Sequence, residues 1–587
     1  MNPSYSICFG ISLMTSKTSQ HVERALRLLT FLVVAYTAPH LNAQEPDPPL
    51  LRAMKTELDR SMSNLKSQEQ PPYFLSYCVT ETSSQSASAT FGRLESSQQT
   101  RQRLLDIDIR VGDYLFDNTH IIRGQSFDMG GGGRGAVSVP LMNEESAIRQ
   151  CLWSATDRAF KAAVERYGKA KTNKAVKVKE EDTSADFSKE KPVRHRDTST
   201  DVVVDTARWN GILRRVSARF ANDTRIYGAR AFFQSDVNVK YYVNSEGSEI
   251  VSCEPIVKLF ITASTKADDG MNLPLYRSYT AFTSDRLPGE EQLTKDADEM
   301  VQLLGKLRAA PLAETYTGPA ILSGRSAGVF FHEIFGHRVE GHRQKDPNSA
   351  QTFKSFMNKR ILPPFIDVVF DPTKKQRGET DLVGYFEFDD EGVPARKVTC
   401  VKDGIFTSFL MSRSPIEGFA ESNGHGRRQA GYRVVSRQSN LMVEARDQIS
   451  RDSLTRALRS ECMRQNKEYG LLFEDISGGF TFTGRTVPNA FNVQPLVVYK
   501  VYADGRESEL VRGVDLIGTP LATFNNIIAA ADDCGIFNGV CGAESGGVPV
   551  SASSPSLLVS TIEVQKKSKS QAKPPIINAP EKASTKP

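Results

Sequence analysis

Residues 329–343, VFFHEIFGHRVEGHR, set three histidines and two glutamates among large apolar side chains and glycines. Burying a carboxylate or an imidazole without partners is costly, so a fold that takes this run inside must supply them. The motif reads H-E-x-x-x-H, with His332 and His337 five residues apart. On an ideal helix that spacing turns the two rings about 140° from each other, against about 40° for neighbours four apart. Both imidazoles reach one ion only if the helix is irregular, through a one-residue π-bulge or by ending at Gly336, which tolerates either. Six histidines lie beyond residue 43, and three of them fall within residues 332–342 beside Glu333. That density points to a metal centre rather than to isolated structural histidines. Zinc takes three protein ligands at catalytic sites and favours Cys and His. His342, Glu340 or a distant residue can complete the set, and GVCGAESGGVPV presents Cys541 on a glycine-bordered loop.

The N-terminus constrains the compartment. Arg24 and Arg27 precede LLTFLVVAYTA, and LNA before Gln44 supplies small residues at a cleavage site. This is the layout of a secretory signal peptide ending at Ala43, for which a start at Met14 gives a more ordinary leader. The apolar run is much shorter than the ~20 residues that span a bilayer, and nothing later is longer, so no stable membrane span is expected after cleavage. Without residues 1–43 the net charge is +3, from 71 basic and 68 acidic residues. The tail from Lys566 holds six lysines and one glutamate, leaving a slightly acidic body with no basic face for nucleic acid. Cys78, Cys151, Cys253, Cys400, Cys462, Cys534 and Cys541 remain, an odd number, so in an oxidising compartment at least one has no intrachain partner.

At 587 residues the chain exceeds a single core. Residues 44–310 read as an N-terminal α+β domain with an antiparallel sheet and long helices. LLRAMKTELDRSMSNLK and ESAIRQCLWSATDRAFKAAVERY have helical spacing, whereas YFLSYCVTE, SASATFGRLE and LLDIDIRVG read as three strands around a flexible MGGGGRG loop farther on. Residues 168–200 form a charged insert, read as an extension of the second helix running into a surface linker. After the helix GEEQLTKDADEMVQLLGKLRAA, residues 311–565 read as a β-rich domain carrying the metal site. Its strands are separated by turn pairs such as KDG and ADG. Residues 566–587 read as a disordered basic tail.

The runs SGRSAGVFFHEIFGHRVEGH, SNGHGRRQAGYR, LLFEDISGG, VRGVDLIGTPLATFNNI and GVCGAESGGVPV together resemble the TldD/PmbA family of metallopeptidases, on the TldD side. The likeness spans about residues 50–565 and is most specific between Leu322 and Val550. It implies a two-domain α+β fold, Zn2+ held by His332, His337 and Cys541, and Glu333 as the catalytic carboxylate. It also implies cleavage of unfolded or flexible peptides, within a homodimer or a heterodimer with a PmbA-like subunit that encloses an inner cavity. The chain departs from the family's cytoplasmic members in carrying an export signal.

On this reading the expected reaction is zinc-dependent hydrolysis, with Glu333 moving the proton from water to the leaving amine. A thiolate ligand donates more charge than a third imidazole, which predicts slow turnover on generic substrates. Two other classes compete: a non-catalytic partner subunit of the same fold, and a peptide-binding protein stapled by a Cys534–Cys541 disulfide. Glu340 is either a carboxylate orienting His337 or His332 or a solvated helix-end residue. Arg427 and Arg428 either hold a substrate carboxylate or backbone carbonyls or form a structural ion pair, and His425 reads as a loop residue rather than a ligand.

Overall fold

The computed structural model describes residues 47–122, 136–176, 182–197, 204–481, 483–485, 491–518, 520–567, 575 and 577. The leader expected over 1–43, the MGGGGRG loop and most of the basic tail lie outside the described residues. No helix among those described is long and apolar enough to cross a membrane. From Pro49 onward the chain forms one compact unit of mixed α+β character.

The first large sheet is built on a hairpin of two 19-residue strands, β1 (Pro72–Thr90) and β2 (Arg93–Val111). Its tip is Phe91–Gly92, with φ of 42° and 85°. Two consecutive left-handed residues make a tight turn whose twist suits a hairpin. The sequence SASATFGRLE is therefore not a third strand between two others. Its FG folds one strand back on the next, with Thr90 opposite Arg93. Strand β3 (Arg194–Arg196) lies parallel to the start of β5 (Glu249–Lys266), while β4 (Gly228–Asn244) joins β1 to β5 and β6 (Asn272–Ala281) pairs farther along β5.

Alternation along these strands separates two faces. Leu75, Tyr77, Val79, Ala87 and Ala89 of β1 point to one face. At one end of it α1 (Pro49–Leu65) and α2 (Glu145–Ala175) bury Leu50, Met54, Ile148 and Leu152. At the other end α3 (Thr206–Ala218) and α4 (Glu290–Ala309) bury Trp209, Leu213, Leu293 and Met300. The opposite face meets the second half of the chain through polar contacts: Lys240 with Asp390 at 2.9 Å, and Asp106 with Arg428 at 3.5 Å.

Residues 316–566 build the other two large sheets. In one, β7 (Tyr316–Leu322) pairs with both β11 (Tyr469–Thr481) and β17 (Leu557–Lys566). With β12 (Phe491–Tyr502) and β13 (Val514–Gly518) between them, those strands close into a ring, and β14 (Ile527–Ala531) adds outside it on β17. In the other, β8 (Ile366–Phe370), β9 (Val398–Lys402) and β10 (Asn440–Ala445) continue into the hairpin β15 (Gly535–Ala543) and β16 (Gly546–Ser554). The helix α5 (Gly324–Ile334) follows β7 and packs against β11 and that hairpin.

The charged insert departs from expectation. Helix α2 does continue to Ala175, but residues 182–188 do not run over the surface as a linker. Asp182, Asp186, Phe187 and Ser188 are buried. Lys345 donates to the carbonyls of Ser184 and Ala185, Glu417 N to Asp182, and Arg413 to the carbonyl of Ser188. The guanidinium carbons of Arg110 and Arg413 sit 3.5 and 3.9 Å from the Phe187 ring centroid, so the ring stabilises two buried cations as well as filling space. Few apolar residues mark this strap, which is why composition suggested a solvated segment. Phe187→Ala should lower stability by about 3–5 kcal/mol in chemical denaturation, the range for a buried aromatic truncation. A truly solvated linker would show almost no change.

Candidate metal centre

The segment that carries the histidines is a short buried helix with one face in the core. Ser323 caps it, its Oγ accepting from Ser326 N, and Val329, Phe330, Phe331 and Ile334 join the largest apolar cluster. Phe524 packs on Phe330, Phe331 and Phe335 and fixes that face. The helix stops at Ile334; Phe335 has φ −111° and ψ −54°, and Gly336–Arg338 form a 3-10 turn. Of the two irregularities compatible with the five-residue spacing, the helix end is the one realised and no π-bulge forms. Arg338 donates to the carbonyls of Glu333 and Ile334 at 3.0 and 3.2 Å, closing the helix C-terminus. A Cβ at Gly336 would lie 1.9 Å from Gln438 Oε1, so a side chain here would have to displace the buried Gln438 amide.

The 3-10 turn brings the rings of His332 and His337 to a centroid separation of 5.2 Å at 75°. Cys541 reaches them from β15, with Sγ 3.4 Å from His337 Nε2. One ligand atom from each of His332, His337 and Cys541 lies within 4.8 Å of the others, and all three residues are buried. The hairpin can come this close because glycines line the contact. A Cβ on Gly324 would meet Gly535 N at 2.4 Å, and one on Gly328 would meet Ala552 O at 2.9 Å.

The electrostatics suit a thiolate. Burial alone pushes the Cys541 thiol up, but His337, His332 and Arg437 together hold it well below the usual range. Burial disfavours the charged form of His337, yet Cys541 and Glu340 raise its pKa to about 10. Glu340, also fully buried, is held down at about 2 by His337 and Arg343 against its desolvation. Its Oε2 lies 3.3 Å from His337 Nδ1 and accepts from Arg343 Nε at 2.9 Å. The solvated-surface reading of Glu340 therefore fails; it holds His337 by Nδ1 while Nε2 faces the sulfur. His332 Nδ1 is buried without a hydrogen-bond partner, as expected of a ring placed for a ligand rather than for packing. Two imidazoles and one thiolate, with a coordinating position left over, fit zinc.

Glu333, next to His332, is 7% exposed, and among the described residues no donor is bonded to its carboxylate. His342 does not join the trio. Its Nε2 pairs with Glu544, which Arg343 also holds at 2.9 Å. Cys534 and Cys541 are both free thiols in the structure, not a disulfide. His425 is buried and bonded to Asn423 and Ser439, and Arg427 donates to the carbonyls of Gln438 and Pro549, so both are structural.

Sequence reasoning missed Arg437. It is completely buried and donates to the Cys541 carbonyl at 2.6 Å, to Ser545 Oγ at 2.6 Å and to Gly546 O at 3.0 Å. Its Nε lies 3.4 Å from Glu340 Oε1, so one ion pair ties the cysteine loop to the histidine turn. The available signal was the polar run SRQSN between VV and LMV, which has no glycine or proline and is buried throughout.

Residues 315–566 match the family model described as the PmbA/TldA metallopeptidase C-terminal domain. Over those residues the chain carries a TldD/PmbA-type metallopeptidase C-terminal domain. An Archaeoglobus fulgidus protein named metalloprotease is 30% identical over 262 residues, which are 45% of this chain and 56% of that relative. The chain thus spans little more than half of that relative's length. A Saccharolobus solfataricus protein named zinc metalloprotease TldD homolog is 24% identical over 343 residues, 57% of this chain and 70% of the relative. The solved structure of TldE from Thermococcus kodakarensis superposes with a TM-score of 0.57 at 14% identity, covering 87% of this chain and all of that one. The last likeness concerns the fold alone.

Removing the ion pair tests the geometry of this candidate centre. Arg437→Met and Glu340→Gln should each weaken zinc binding about 10–100-fold, as for groups that orient a ligand from behind. Competition with a chromophoric chelator reads the affinity, and unchanged affinity in both variants would show that neither group positions the ligands.

Proposed function

We propose that this TldD/PmbA protein is a zinc peptidase that cleaves unfolded or flexible peptides, with His332, His337 and Cys541 holding the metal and Glu333 moving the proton. One observation carries the reading: ligand atoms of two histidines and a cysteine from segments two hundred residues apart lie within 4.8 Å of one another, on three buried residues. The zinc named for the Saccharolobus relative agrees with that donor set. Bound there, zinc would polarise a carbonyl and acidify water. The chain's own groups do the rest. Glu333 takes a proton from the attacking water on its carboxylate and returns it to the leaving amine nitrogen. Glu340 keeps His337 Nδ1 occupied, and Arg437 holds the cysteine loop through its carbonyls. The phenylalanine cluster behind α5 keeps the helix from yielding.

A dimer is part of the proposal, either with a second copy or with a PmbA-like subunit, because TldE shares the fold. Export is also proposed, from the leader over residues 1–43 and with a periplasmic or secreted destination; intact-mass analysis of the mature chain should then place its first residue at Gln44.

Glu333→Gln is the direct test. Peptide cleavage should fall about 10²–10⁴-fold, the contribution of a positioned acid–base group, while zinc content stays unchanged. Cleavage at the original rate by the zinc-loaded variant would refute the assignment, and a purified chain that binds zinc but never cleaves peptides would favour the partner-subunit class.

A further inference from the structure

A second group of metal-ligating side chains lies away from this centre, where edge strand β3 meets the segment between β8 and β9. His195 Nε2 is 2.8 Å from Asp197 Oδ1 and 3.6 Å from Glu387 Oε2. One ligand atom from each of the three lies within 4.8 Å of the others. The remaining carboxylate oxygens are already occupied. Cys253 N donates to Asp197 Oδ2 at 2.8 Å, and the Tyr385 hydroxyl donates to Glu387 Oε1. That leaves Oδ1 and Oε2 both turned toward the same imidazole nitrogen. The His195 ring is in turn steadied on Phe388, with centroids 4.8 Å apart.

We infer that His195, Asp197 and Glu387 form a second divalent-metal site, which clips the segment carrying Glu387 to the strap that ends in β3. One imidazole and two carboxylates make a mixed nitrogen–oxygen set, which suits a first-row ion such as zinc or manganese better than calcium, whose sites need more oxygens. On binding, the ion takes the lone pair of Nε2 and one from each carboxylate; any proton on Nε2 is released to solvent, and water completes the shell. The ion replaces the hydrogen bond that otherwise joins His195 to Asp197. Beside the site is a cavity of about 290 Å³ lined by Asp197, Phe282, Tyr385, Phe386, Glu387 and Phe388. The clip therefore fixes one wall of an aromatic pocket. The half-exposed position leaves the ion exchangeable, unlike the buried centre.

The experiment counts zinc in the full-length chain. Protein stripped with a chelator is equilibrated with zinc alone, and bound metal is measured by atomic emission for the unaltered chain and for His195→Gln, Glu387→Gln and His337→Ala. The expected result is one zinc fewer in His195→Gln and in Glu387→Gln, with the zinc at the buried centre kept. His337→Ala should lose the buried zinc and keep this one. If His195→Gln fails to fold, Glu387→Gln, at a part-exposed side chain, decides alone. Unchanged zinc counts in both His195→Gln and Glu387→Gln overturn the second site. A failure at the buried centre is read separately, from His337→Ala.

Discussion

The close approach of α5 to the β15–β16 hairpin is the contact on which the centre depends. Helix and hairpin meet backbone to backbone, with Gly324 against Gly535 and Gly328 against Ala552. A methyl group at either helix position would overlap main-chain atoms that cannot rotate away, so the whole hairpin would have to move. The sulfur of Cys541 is 3.4 Å from His337 Nε2, a separation that a shift of one ångström would open beyond shared coordination. Close packing transmits such shifts rather than absorbing them. The glycines are thus part of the centre although none offers a ligand atom.

The same closeness creates an electrostatic problem. His332, Glu333, His337, Glu340, Arg437 and Cys541 are all buried within one short stretch of space. Their charges are tolerable only as a network, since removing one member of a buried pair leaves the other uncompensated, at about 3–5 kcal/mol. Glu340 is the shared member, facing His337, Arg343 and Arg437 at once. The apolar face of α5 and the charged face oppose each other across one helix. The phenylalanine cluster stabilises the fold, and the charged side uses part of that stability to hold a pre-organised constellation.

Much of this was legible in the residues, and the exceptions follow a pattern. The histidine density and the five-residue spacing demanded an irregular helix, and Gly336 marked where it ends. The helices came from periodicity at α1, α2 and α4, where one face meets a sheet. Local pattern failed where the deciding partner was far away in sequence. SASATFGRLE has strand-forming residues on both sides of its turn, and only the positive φ at Phe91 and Gly92 reveals the hairpin tip. The strap over residues 182–188 is polar by composition because its burial is achieved through Lys345 and Arg413, from the other half of the chain. Arg437 and the His195 cluster were hidden for the same reason.

Arg437 also changes how the thiolate should behave. A thiolate ligand by itself suggests a charge-rich, weakly acidic metal and hence slow chemistry. Arg437 donates to the Cys541 carbonyl, and its charge helps hold the Cys541 thiol deprotonated. A cation that stabilises a thiolate also lowers its donor strength, because the same lone pairs are drawn toward the positive charge. Less charge would then pass from sulfur to a bound ion than from an isolated cysteine. The buried arginine thus does two things with one side chain: it ties the cysteine loop to the histidine turn, and its charge helps keep the sulfur ionised. That coupling comes from the SRQSN run rather than from the H-E-x-x-x-H motif.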